Sequence, residues 1–338
     1  MTNSVHLSEE PGTSRSNGLA PDIPSRAYWG PGRIGTAAGI VVRFVVFLIA
    51  MFLISQALNV IVGNFVPAEE LQTVLAVPAA LIQIVTLSSA YFLVVRFLER
   101  RRSIYELRTH WARGLAIGLA GGAAAFLVCC GVIALAGGYQ WSVVEHPDLG
   151  AIAVTILGAG ISAGIGEELL YRGIGYRLME QMFGTWAAII GSGLVFGFMH
   201  MANPGATLWG GISVALAGGM LLGTLYALTR SLWVTIGYHA AWNVVQGPLL
   251  GIPVSGNELP AFLQATVTGP DWLTGGEFGA ESSGVTVGMI SALTIVLGMM
   301  LARRRRERVV APIWSASRRP EPVLSQQHDT EGEGSTPA

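Results

Sequence analysis

Three short polar clusters interrupt an otherwise apolar stretch of the chain: Glu167-Glu168-Leu169-Leu170-Tyr171-Arg172, Phe196-Gly197-Phe198-Met199-His200, and His239-Ala240-Ala241-Trp242-Asn243. On a helix, Glu168 and Arg172 lie one turn apart and can pair, with the acid before the base as the favoured order. Glu167 is rotated about 100° from its neighbour. Two adjacent carboxylates near lipid cannot both ionise cheaply, so with Arg172 beside Glu168, Glu167 is left to take up a proton, as a general base does. His200 follows Phe196 by one turn and His239 precedes Asn243 by one turn, so each pair shares a helix face. A carboxylate and two imidazoles can hold and activate a water, or ligate a metal as two-His-one-Glu sets do. An Asn amide can donate to a developing oxyanion.

Each cluster also has a plainer reading. Glu168 and Arg172 could close the inner end of a helix as a charge cluster whose Arg reaches water. A lone His in an apolar segment is commonly a hydrogen-bonded core residue. What favours chemistry is the recurrence of costly intramembrane polar groups on successive helices.

The elements that must position these residues read as membrane spans. The 338 residues are 51% hydrophobic and 12% charged, with a mean hydropathy of +0.54, well below the roughly 25% charge of soluble domains. The expected fold is all-α, a polytopic transmembrane bundle of about eight helices. The spans fall at Phe44–Val62, Leu71–Val95, Leu115–Ala136, Leu149–Leu170, Trp186–Met201, Leu208–Leu228, Leu232–Leu250 and Val285–Ala302. Each approaches the ~20 apolar residues a span requires, the fifth being short. Pro78 is expected to kink the second. Small residues four apart, such as Gly118 and Gly122 or Gly160 and Gly164, allow close helix approach in lipid. Gly158-Ala159-Gly160 loosely fits a dinucleotide fingerprint, but inside a span it lacks the strand and turn that motif needs. Cys129 and Cys130 are adjacent and cannot form an ordinary disulfide.

Domain organisation follows: a disordered tail over 1–36, a membrane domain over 37–302 with its core at about 115–250, and a basic then disordered tail over 303–338. No signal peptide precedes the first span. All twenty basic residues are Arg, and they cluster in alternate loops, among them Arg172 and Arg177 after the fourth span. The intervening loops hold Glu145, Asp148, Glu258, Asp271, Glu277 and Glu281 but no Arg. By the positive-inside rule both termini are cytoplasmic. The protein is expected in the lipid bilayer, at the plasma membrane if the source is bacterial, with no nucleic-acid partner. The outer loop Gly251 to Gly284, without a motif, reads as a connector rather than a lid.

The ordered set EExxxR, FxxxH and HxxxN resembles the intramembrane endopeptidases related to type II CAAX prenyl proteases, the CPBP or ABI family, over roughly Leu115 to Leu250. The resemblance implies a membrane endopeptidase acting on a membrane-associated peptide or protein substrate, as in CAAX-box protein processing. It implies that Glu167 activates water, that Glu168 and Arg172 set its charge state, and that His200, His239 and Asn243 bind water or the oxyanion. A divalent metal such as zinc, if bound, would fall to Glu167, His200 and His239; no HExxH helix is present to require one. Two other classes stay open: a non-catalytic scaffold or immunity-type protein retaining the fold, and a transporter or proton pathway, which would favour an inverted repeat that is not evident. One feature fits poorly: at ~1.5 Å per residue His200 lies about 21 Å along its helix, deeper than Glu167 counted from Leu170.

Overall fold

The computed structural model describes residues 33–64, 76–101, 103–108 and 110–303. The tail expectations for 1–36 and 303–338 fall almost wholly outside these residues. Helix α1 is Arg33–Gly63, α2 Ala76–Leu98, α3 Trp111–Leu135, α4 Leu149–Phe183, α5 Thr185–Ala202, α6 Leu208–Thr229 and α8 Gly284–Arg303. Helix α7 is Leu232–Val244, continued by the π-helical turn Val245–Leu249. Among the described residues, seven helices are long and apolar enough to cross a membrane, and α7 is not one of them. Its Tyr238, His239, Trp242, Asn243 and Gln246 are nevertheless buried. α7 packs against α3, α4 and α6, so its polar residues meet protein rather than lipid. Exposed apolar side chains such as Phe52, Leu53, Leu127, Phe198 and Val296 cover the outside instead.

The glycine spacing works as expected. A Cβ on Gly118 or Gly122 would strike the backbone carbonyl of Val234 or Tyr238, and one on Gly197 would strike that of Gly211. These helices touch backbone to backbone, which only glycine permits. Cys129 and Cys130 are free and buried. Pro78 lies in the first described turn of α2, and the residues just before Ala76 that bear on the expected kink lie outside the described residues.

The largest correction concerns α4. It does not end at Leu170 but runs on to Phe183, through a π-helical stretch at Leu169–Tyr176. Arg172 and Arg177 are therefore buried helix residues, not loop charges. Gly184, at a φ of 86°, turns the chain directly into α5. Counting ~1.5 Å per residue from that turn, Glu167 lies roughly 24 Å up α4 and His200 roughly 22 Å up α5. The depth mismatch arose from the misplaced helix end, and the two residues are level.

The outer ends of the bundle carry a small feature that an all-helical reading omits. Strands β1 (Tyr139–Val143) and β2 (Leu263–Val267) pair antiparallel with Trp141 opposite Ala265. β2 belongs to the segment expected to be a connector, which instead folds back over the helices through turns at Gly251, Gly275 and Gly279, all with positive φ.

Candidate active site

A cavity of about 320 Å³ opens among α4, α5, α6, α7 and the outer segment. Its walls include Glu167, His200, His239 and Asn243, so these four predicted residues do converge. Glu168 and Arg172 stand behind them, fully buried. Arg172 Nη1 lies 2.7 Å from Glu168 Oε1, its Nη2 donates to the Gly219 carbonyl at 2.9 Å, and its guanidinium sits 4.9 Å from the Phe196 ring centre. The pair fastens α4 to α6, where the sequence allowed a charge cluster reaching water.

His239 is oriented from the same pair. Its Nδ1 lies 3.1 Å from Glu168 Oε1. A carboxylate held by Arg172 accepts, so Nδ1 carries the hydrogen and, in the neutral ring, Nε2 keeps a lone pair toward the cavity. That Nε2 is 4.0 Å from Glu167 Oε2, beyond hydrogen-bonding reach, and Glu167 Oε2 is buried without a hydrogen-bond partner among the described residues. His200, at the C-terminus of α5, is fixed likewise: its Nδ1 lies 2.7 Å from the Phe196 carbonyl, which can only accept, so its Nε2 is also the basic nitrogen. The spacing FxxxH thus has a structural meaning, since the Phe196 ring also lies 4.6 Å from the imidazole, tilted by 44°. Asn243 donates Nδ2 to the Ala159 carbonyl at 2.8 Å, which fixes its amide plane and leaves a second N–H on the same nitrogen.

The donor set does not fit a metal site. Among the described residues no group of three or more His, Cys, Asp or Glu is placed to hold a metal ion. Glu167, His200 and His239 line one cavity, with Glu167 Oε2 4.0 Å from His239 Nε2.

Sequence reasoning missed the contribution of the outer segment. Ser255, Asn257 and Glu281 line the same cavity, and Glu281 is buried and accepts a hydrogen bond from the Ser255 N–H. Asn203, just after α5, completes that wall and donates to the Ser255 carbonyl at 3.1 Å. The only signal available was the density of glycines around residues 275–279, which marks a segment folded tightly rather than strung loosely between spans.

The family described as Rce1-like, type II CAAX prenyl endopeptidase, has a model that matches residues 149–245. The matched segment runs from the start of α4 to α7 and contains all three motifs, in under a third of the chain. No curated protein matches the chain. The seven apolar helices and the match indicate an integral membrane protein in which residues 149–245 are similar to a membrane protease family.

Proposed function

We propose, with residues 149–245 taken as an Rce1-like domain, that the chain hydrolyses peptide bonds of membrane-associated substrates with a water activated by Glu167. The observation that carries this is the 4.0 Å gap between Glu167 Oε2 and His239 Nε2: two acceptors, neither bonded to the other, face one cavity at a spacing a shared water can bridge. Glu167 takes a proton from that water as its oxygen attacks the scissile carbonyl. The Nε2 of His239 accepts the water's other hydrogen and holds it on line, and His200 lines the same cavity beside it. The free N–H of Asn243 donates to the carbonyl oxygen as it gains charge. Glu168 and Arg172 touch no substrate; they fix the His239 ring and its proton.

The test is cleavage of membrane-anchored peptides by the purified protein in liposomes, with prenylated and unprenylated Cys-containing tails as separate arms. Replacing Glu167 with Ala should reduce turnover by about 100-fold or more, the usual range for a general base. Full activity in that variant would refute the assignment and leave a non-catalytic scaffold as the reading. Because no three donors among the described residues are placed to hold a metal ion, treatment with a chelator is expected to leave cleavage intact.

A further inference from the structure

We propose that Glu281 supplies the proton that the leaving amine needs, acting as general acid opposite Glu167. The inference rests on the endopeptidase reading above and assigns a reacting group from outside the matched segment.

Glu281 lies in the turn Ala280–Ser282, between the outer segment and α8. Its side chain enters the cavity that Glu167, His200, His239 and Asn243 line from other elements. The carboxyl is positioned by a built clamp. Oε1 accepts from the Ser255 N–H; Ser255 is held in a left-handed backbone at a φ of 47°, and its carbonyl accepts from Asn203 Nδ2 at 3.1 Å and Asn257 Nδ2 at 3.3 Å. Oε2 has no hydrogen-bond partner among the described residues, which leaves it for the cavity.

Its surroundings favour the neutral acid. The titratable groups facing it are Glu167 from α4, His200 from α5, Tyr238 and His239 from α7, and Tyr139 from β1. Neither Arg nor any other fixed cation is among them, and Arg172 is already committed to Glu168. The α6 wall, with Val214, Ala217, Gly218 and Leu222, is apolar. Burial pushes the Glu281 carboxyl above its ordinary value, against the Ser255 N–H and against the two imidazoles when they carry a proton. Two carboxyls in one cavity with environments that set them apart is the arrangement from which acid and base roles follow.

The step balances. Glu167 removes one proton from water, and the hydroxide oxygen forms a bond to the scissile carbon, giving a tetrahedral oxyanion. As the oxyanion collapses, the C–N bond breaks and its electron pair stays on nitrogen, which takes the Glu281 proton and leaves as a neutral amine. Water has been added across the bond, Glu167 ends protonated and Glu281 ionised. A proton passing from Glu167 to Glu281 through water restores both.

A peptide and its depsipeptide analogue, with an ester at the scissile position, separate the roles, since an alkoxide leaves without the protonation an amine requires. Glu281→Gln keeps an oxygen for the Ser255 N–H. It should lower kcat on the peptide by about 100-fold with KM nearly unchanged, keep ester cleavage within a few-fold of wild type, and remove the alkaline limb of the pH–kcat profile. Glu281→Asp should recover part of the peptide rate and restore that limb. Equal loss on both substrates, an unchanged peptide rate, or no recovery in the Asp variant would overturn the proposal. Glu167→Gln should lose peptide and ester together; if it retains both, it is the endopeptidase reading that fails, whatever Glu281 does.

Discussion

Glu168 is a fully buried carboxylate, and its partners explain why two adjacent glutamates behave as different groups. Arg172 neutralises it at 2.7 Å and His239 donates to it at 3.1 Å, both at Oε1, whereas the nearest charged or imidazole partner of Glu167, His239 Nε2, stands 4.0 Å away. The i,i+4 spacing made the Glu168–Arg172 pair legible in the sequence. The bond from His239 to Glu168 was not, because the rotation of α7 about its axis is set by the backbone contacts that Gly118, Gly122 and its own Gly237 allow between α3 and α7. Replacing one member of a buried pair strands the other charge, at a cost of about 3–5 kcal/mol. Arg172→Met should therefore lower stability by that amount, measured by thermal unfolding in detergent. Glu168→Gln combined with Arg172→Met should regain part of it. A single variant that melts with the wild type would mean that Glu168 is not held as an ion.

Among the elements, the π-helical turns do work that regular helices could not. The carbonyls of Ala159, Gly173 and Gly219 all lie in such turns, and each accepts from a side chain: Asn243, Arg177 and Arg172 respectively. A widened turn breaks the i→i−4 ladder and frees a carbonyl, which in lipid must find another donor. Hydropathy alone could not reveal this. A window reading ends α4 at Leu170 because Arg172, Gly173, Gly175 and Arg177 look like loop, and only their partners on other helices make them buried. The positioning of α7 was more legible, since Gly118 and Gly122 announce a close contact. The same contact is testable. A methyl on Gly122 would meet the Tyr238 carbonyl, whereas one on Gly121 meets only the Tyr238 ring at 3.7 Å. Gly122→Ala should cost about 1–3 kcal/mol, as overpacking does, and should lower turnover by displacing His239 one residue on. Gly121→Ala serves as the control, and equal melting temperatures and rates for the two would show that α3 does not set the position of α7.

At the scale of the whole molecule, the cavity end and the opposite end of α4 are held by different physics. The far end is a buried ion network: Arg177 Nη2 lies 2.7 Å from Glu99 Oε1, Arg43 Nη1 3.4 Å from the same oxygen, and Arg101 Nη2 2.5 Å from Glu106 Oε2. Tyr91 adds a donor to Glu106 at 2.7 Å. Nearby, Arg230 and Glu180 join α6 to α4 at 2.5 Å. These contacts tie α1, α2 and the turn Tyr105–Arg108 to α4, so the position of Glu167 depends on charges whose α4 members, Arg177 and Glu180, lie about 15–20 Å along the helix, by the ~1.5 Å rise per residue. The network also makes stability depend on pH. Burial alone would raise the Glu106 carboxyl, but Arg177 and Arg101 more than offset it and bring it down to about 2. A folded value below the unfolded one means stability that is complete above about 4.5 and disappears as pH falls toward 2, on the order of 3 kcal/mol for this group. Unfolding in detergent followed from pH 7 to pH 2.5 should show that loss in the wild type. Glu106→Gln should start less stable at pH 7 and lose less on acidification, so that the two curves converge. Curves that stay parallel would mean that Glu106 does not titrate with folding, and that the bundle is held at this end by packing rather than by charge.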